Sequence, residues 1–163
     1  MAHPHEKAIE NMSASSLIRI IQESKMIYVR ENLSRPLHES QIRLLKQVKR
    51  HEKPHHKQIR IKQYEKAEKN EWFKTHLDLY LQNYRKLAKK GLIVIDENPV
   101  NGLPYDCSLT EEGSAVLTEI YLLETKWERI VGMDKKDLEA LRKMALDSYE
   151  ISYKHKKKRG FIF

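Results

Sequence analysis

The stretch Lys89-Lys90-Gly91-Leu92-Ile93-Val94-Ile95-Asp96-Glu97-Asn98-Pro99-Val100-Asn101-Gly102-Leu103-Pro104-Tyr105-Asp106-Cys107-Ser108-Leu109-Thr110-Glu111-Glu112-Gly113 decides the fold. Leu87 and Ala88 close an apolar helical stripe just before it, and Gly91 stands where a helix C-terminal cap belongs. Leu92 to Ile95 is apolar and β-branched and reads as a strand. Asn101-Gly102 is a strong hairpin-turn signal, and Tyr105 to Leu109 is the return strand. Thr110 then leads into another helix. A hairpin set between helices in this way is a wing. From Leu92 through Thr125 there is no Lys or Arg, and seven carboxylates stand there instead. In a basic chain, this hairpin is free of cations.

Four helices are predicted upstream. The first starts at Ser13, capped by Ser13 or Ser15, with Leu17, Ile20, Ile21, Ser24, Ile27 and Tyr28 at steps of three and four. Pro36 closes the connection after it. The second runs from Glu39 to Arg50 on Ile42, Leu44, Leu45 and Val48, with Ser40 as its cap, and Pro54 interrupts the chain after it. The third covers residues 57–69, exposed on most sides, with Ile61, Tyr64 and Glu68 on one stripe. Trp72 and Phe73 are expected to anchor the next turn in the core. The fourth helix, Thr75 to Lys90, buries Leu77, Tyr80, Leu81, Tyr84, Leu87 and Ala88. After the wing, a fifth helix carries Val116, Leu117, Ile120, Leu123 and Trp127 to about Gly132. A last one starts at Asp134 with Leu138, Leu141, Met144, Ala145 and Tyr149. The fold class is therefore mainly α with a small β-hairpin wing: a winged helix-turn-helix with additional N- and C-terminal helices. One domain spans 1–163, divided into an N-terminal helix at 13–36, the winged helix-turn-helix at 39–112, C-terminal helices at 113–153 and a basic tail at 154–163. Residues 1–12 are expected to be loose.

The 31 Lys and Arg outnumber the 23 Asp and Glu, a net +8 that suggests a polyanionic partner, nucleic acid before membrane. One cysteine permits no intrachain disulfide and suits a reducing cytoplasm. No apolar run approaches the roughly 18 residues of a membrane span, and the N-terminal residues carry no apolar signal core. The chain shows no Ser/His/Asp set, Gly-rich phosphate loop or paired-carboxylate motif. It is not expected to be an enzyme, and no cofactor is expected.

Ten Lys or Arg against three Glu fall between Gln41 and Lys69. Arg60, Lys62 and Lys66 are expected to meet phosphates, which supply affinity and salt dependence rather than sequence information. On the fourth helix His76, Gln82, Asn83, Arg85 and Lys86 are the candidate base readers, Gln82 foremost, because Gln and Asn pair with adenine and Arg with guanine. The wing has only Asn98, Asn101, Tyr105 and backbone N–H groups for such a contact. His51, His55 and His56 invite a zinc reading. Pro54 lies among them, no Cys or carboxylate completes a tetrahedral set, and the surround is Lys and Arg, so phosphate contact or plain surface fits better. Cys107 reads as a packed thiol.

The chain also resembles the MarR-type (multiple-antibiotic-resistance) regulators. Leu37-His38-Glu39-Ser40-Gln41-Ile42-Arg43-Leu44-Leu45 is similar to the opening of their second helix. Leu87-Ala88-Lys89-Lys90-Gly91-Leu92-Ile93 is similar to the end of their recognition helix and their first wing strand. Leu109-Thr110-Glu111-Glu112-Gly113 follows the wing as theirs does, and Asp134-Lys135-Lys136-Asp137-Leu138-Glu139-Ala140-Leu141 opens the last helix as theirs does. There are departures. Pro54 to Gly91 is several residues longer than the family spacing. Lys74-Thr75-His76-Leu77-Asp78-Leu79-Tyr80 replaces the usual Ser/Thr run, and the wing lacks the Asp-x-Arg whose Arg enters the minor groove. The resemblance implies a homodimer whose first and last helices interlock across a two-fold axis, on a pseudo-palindromic double-stranded DNA operator. It also implies a repressor relieved by a small aromatic or anionic effector. The competing expectation is a winged-helix module that docks a protein and binds DNA weakly or without specificity.

Overall fold

A computed structural model of the chain describes residues 5–100 and 103–159. Among the described residues, seven helices and one hairpin follow in the order α1 (Glu6–Ile9), α2 (Ala14–Asn32), α3 (Glu39–His51), α4 (Pro54–Ala67), α5 (Glu71–Lys89), β1 (Ile93–Asp96), β2 (Asp106–Leu109), α6 (Glu111–Ile130) and α7 (Lys135–Arg159). Ser13 Oγ caps α2 by accepting from the Ser16 N–H at 3.3 Å. Three starts differ from the sequence reading. A short helix, α1, lies within the residues expected to be loose. His38, not Ser40, is the N-cap of α3, and its backbone N–H donates to Gln41 Oε1 at 3.0 Å. Pro54 opens α4 rather than only ending α3, since its missing N–H costs nothing in a first turn.

The helix α5 also begins earlier than expected, because Asn70 Oδ1 accepts from the Trp72 N–H at 3.0 Å and caps it. This places Trp72 on the helix surface, 55% exposed, rather than in the core. The side chain of Phe73 lies outside what is described. At the far end, α7 continues through Arg159, into the predicted tail. Asp134 starts it with a reciprocal pair: its Oδ1 accepts from the Asp137 N–H and its own N–H donates to Asp137 Oδ2, both at 2.9 Å.

The core packs Val29 and Leu33 of the α2 end, Ile42, Leu45 and Val48 of α3, and Leu81, Tyr84 and Leu87 of α5. From the other side come Val116, Leu117, Ile120 and Leu123 of α6. Trp127 joins α6 to α2 through Nε1–H donating to Ser24 Oγ at 3.0 Å. The carboxylates of α6 are tied to the loop before α3 and to α3 itself: Glu119 accepts from Ser34, Glu112 from Arg35, and Glu124 from Lys46. Three α6 carboxylates of the cation-free stretch thus have partners on α3 and the loop before it.

The wing strands pair antiparallel in the register Ile93↔Leu109 to Asp96↔Asp106. Residues 97–105 connect them; Asn101 and Gly102, the expected turn, lie outside the described residues. Leu92 is the hinge between helix and wing. Its N–H donates to Leu87 O at 3.2 Å and its C=O accepts from the Thr110 N–H at 3.1 Å. Gly91 takes the left-handed conformation, φ 75°, that its place at a helix end requires. Gly113 is needed for a different reason: α6 starts so close to the wing that a Cβ there would sit 1.8 Å from Leu92 O.

Candidate nucleic-acid interface

The outer face of α5 carries Gln82, Asn83 and Lys86, all exposed, with His76 and Arg85 partly so. His76 Nδ1–H donates to the Trp72 carbonyl at 2.7 Å, and the two rings stack at 4.1 Å. Because a carbonyl only accepts, this bond fixes the tautomer and leaves Nε2 as the acceptor of the neutral ring. Leu79 and Tyr80, which sequence reasoning did not assign to this face, are 57% and 47% exposed beside these groups. Tyr80 and Asn83 wall an open cleft of about 690 Å3, opposite Arg30 of α2 and Arg43 of α3. Asn101 lies outside the described residues.

Basic charge distributes unevenly. Of the ten cations between Gln41 and Lys69, five are paired: Arg43 with Glu39, Lys46 with Glu124, Lys49 with Glu52, and Lys57 and Arg60 with Asp106. Arg50, Lys53, Lys62, Lys66 and Lys69 are exposed and make no ion pair among the described residues.

Arg60 departs from its expected role. It is 6% exposed, inside the angle between α4 and the wing. Its Nη1 lies 3.5 Å from Asp106 Oδ1, and its guanidinium carbon stands 5.5 Å from the centre of the Tyr105 ring. Lys57 Nζ donates to Asp106 Oδ2 at 3.2 Å. The charge of Arg60 is spent on holding the wing, so it is not a surface cation for phosphate. Basic composition could not reveal this. The available signal was Asp106, a carboxylate that stands between the buried Tyr105 and Cys107 in sequence.

Arg85 is held too, though in solvent. Its Nε donates to Glu97 Oε1 at 3.2 Å, its Nη2 donates to the same oxygen, and its Nη1 donates to Asp78 Oδ1 at 2.9 Å. These bonds, Glu97 first, raise its already high pKa. Asp78 was not singled out in the sequence. The spacing of Asp78 and Arg85, two helical turns apart, was the available signal.

His51 sits partly buried behind this surface. Burial first, then the charges of Arg60, His56 and Arg50, lower its pKa to about 4, with Asp106 opposing. Among the described residues, no group of three or more His, Cys, Asp or Glu is placed to hold a metal. The sign of the pH effect follows from the lowered pKa. The unfolded imidazole takes up a proton below about 6.5 while the folded one does not, so stability is full above that pH and falls as pH drops toward 4. Denaturant titrations of the wild type and His51→Gln are expected to differ in pH dependence. The wild type should lose about 1–2 kcal/mol more than the variant between pH 7 and pH 5. An equal loss in both would place the acid sensitivity elsewhere. Burial likewise pushes the Cys107 thiol up to about 12 against the pull of Arg60, as suits a packed thiol.

A helical pair, a long outer helix, a two-stranded wing and flanking helices at both chain ends define a winged helix-turn-helix with added helices. The fold is that of MarR: its crystal structure superposes with a TM-score of 0.64 at 22% identity, covering 91% of this chain and 96% of that one. The structure of S. aureus MepR bound to ethidium bromide overlaps more loosely, with a TM-score of 0.47 at 14% identity, covering 86% of this chain and 97% of that one. Compared by sequence, the chain matches no family model and no curated protein. No described helix is long and apolar enough to cross a membrane.

Proposed function

We propose that the chain is a sequence-specific, double-stranded-DNA-binding transcription regulator that acts as a cytoplasmic homodimer and represses by occluding a promoter. The observation that carries this reading is the pairing of two surfaces. Exposed cations that make no ion pair among the described residues (Arg50, Lys53, Lys62, Lys66 and Lys69) run along α3, α4 and the turn after it, and α5 beside them presents Gln82, Asn83 and Lys86. Such cations position a protein on phosphates, and such amides read adenine in a major groove. The dimer rests on α7, which exposes Met144, Leu146, Tyr149 and Ile151 by more than half, and on Ile18 and Ile27 of α2. Apolar faces of that extent call for a partner, and a second copy supplies the same faces about a two-fold axis. A second cleft of about 410 Å3, with Arg30 and Lys90 in its walls, is where a small anionic effector would act between α2 and the recognition helix.

Selection of bound duplexes from random DNA tests both claims at once. A two-fold symmetric motif is the expected result. Capture without any motif would favour the alternative, a protein-docking module with non-specific DNA affinity. Replacing Lys62 and Lys66 together by Ala is expected to weaken binding to specific and random duplexes alike. The log–log salt slope should flatten by up to about 0.9 for each phosphate that is no longer neutralised. An unchanged slope would remove α4 from the interface.

A further inference from the structure

The clamp on Arg85 lies where an ion pair does little for stability. The side chains of Arg85, Glu97 and Asp78 are 40%, 43% and 69% exposed, and pairs so exposed contribute little to stability. Its placement is more telling. Asp78, Gln82 and Arg85 fall at i, i+4 and i+7 and so share one stripe of α5, with the foremost base-reading candidate between the two ends of the clamp. Glu97 reaches the stripe from the first residue after β1.

We propose that Glu97 and Asp78 are positioning residues for DNA recognition: they hold the Arg85 guanidinium beside Gln82, so that the wing acts on sequence through Arg85 rather than through a cation of its own. This rests on the DNA-binding reading above. A guanidinium has five N–H donors. Glu97 takes one from Nε and one from Nη2, and Asp78 takes one from Nη1. Two remain, one on each terminal nitrogen, and two is the number that O6 and N7 of guanine accept. The side chain is ordered before DNA arrives, so the rotamer entropy of a long arginine is not lost on binding. Two carboxylates around one guanidinium leave a local charge of −1, which opposes indiscriminate attraction to phosphate. The arrangement therefore favours discrimination over raw affinity.

The test compares affinity for the tightest selected duplex with affinity for a random duplex of equal length, in the full chain, for wild type, Glu97→Ala, Asp78→Ala, Arg85→Ala and the double variant Glu97→Ala/Arg85→Ala. The ratio of the two affinities is expected to fall about 5- to 10-fold in each single variant, a part of what one bidentate contact carries. The double variant should fall no further than Arg85→Ala alone, because Glu97 acts through Arg85. Arg85→Lys should not restore the ratio, since an ammonium has no planar fork. Circular dichroism and melting temperature should stay at wild-type values throughout, since the residues are exposed. An unchanged ratio would overturn the proposal. So would an equal gain on both duplexes, which would make Glu97 a mere competitor of phosphate, or a further loss in the double variant. If the wild type itself prefers no duplex, the DNA-binding reading fails and this one with it. Wild-type preference with unaltered variants removes this inference alone.

Discussion

Gly113→Ala is expected to destabilise the protein by about 3–5 kcal/mol, more than any surface substitution in the chain. A methyl group there would meet Leu92 O at 1.8 Å, Leu92 C at 2.8 Å and Leu92 Cα at 3.3 Å. These are backbone atoms, so no rotamer change relieves them. Leu92 has nowhere to move: its side chain is fully buried, its N–H is bonded to the end of α5, and its C=O is bonded to Thr110. Separating α6 from the wing would break the Thr110 bond and the neighbouring bond from Thr110 Oγ1 to Gly91 O at 2.6 Å. Helix propensity works the other way by about 1 kcal/mol in favour of Ala, so a net loss measures the steric term. Gly132→Ala is the control. It has φ 71° but nothing within 4 Å, so only backbone strain of about 1 kcal/mol applies. Urea denaturation of the two variants should therefore separate by at least about 2 kcal/mol. A loss below about 1 kcal/mol for Gly113→Ala would show that α6 slides away without penalty.

The same glycine shows what the sequence made legible. Leu109-Thr110-Glu111-Glu112-Gly113 could be recognised as the segment after a wing, and the helices α2, α3, α5, α6 and α7 could be read from apolar steps of three and four. Each of these has a wide apolar face, and periodicity reports such faces. The reading failed where short-range hydrogen bonds decide. His38 was chosen as cap over Ser40, and Asn70 moved the start of α5 back far enough to turn Trp72 outward. The helix α4 has only a weak apolar stripe, so its limits were set by Pro54 and not by pattern. In the site, exposure of Gln82, Asn83 and Lys86 followed from the opposite face of a well-read helix. The roles of Arg60 and Arg85 did not, because each depends on a carboxylate distant in sequence. A count of basic residues treats every cation as available. Here Lys57, Arg60 and Arg85 are directed at Asp106 and Glu97, two of the wing's own carboxylates. The cation-free wing takes its positive charge from α4 and α5.

Asp106→Ala should therefore destabilise the protein by about 2–4 kcal/mol, because it leaves Arg60 charged, buried and unpaired. The Arg60 side chain is 7% exposed and that of Asp106 is 17% exposed, so water screens the pair poorly. The separation of 3.5 Å and the remaining exposure of Asp106 keep the figure below that of a tight, dry pair. Asp106 also faces Asp96 across the last rung of the hairpin, and like charges in that position repel. Removing Asp106 relieves that repulsion by a few tenths of a kcal/mol, too little to offset the stranded guanidinium. The decisive comparison is with Arg60→Met/Asp106→Ala, which removes both charges and keeps an apolar chain against the Tyr105 ring. If the loss comes from an uncompensated charge, the double variant should be more stable than Asp106→Ala alone, despite carrying one more substitution. Equal or greater damage in the double variant would mean that Arg60 contributes by packing and by its contact with Tyr105. At matched folded fractions, Asp106→Ala should leave the salt slope on random duplex close to the wild-type value, because Lys62 and Lys66 remain exposed. A slope that steepens markedly would show that the freed Lys57 has turned to phosphate, and that the wing had been holding a DNA contact in reserve.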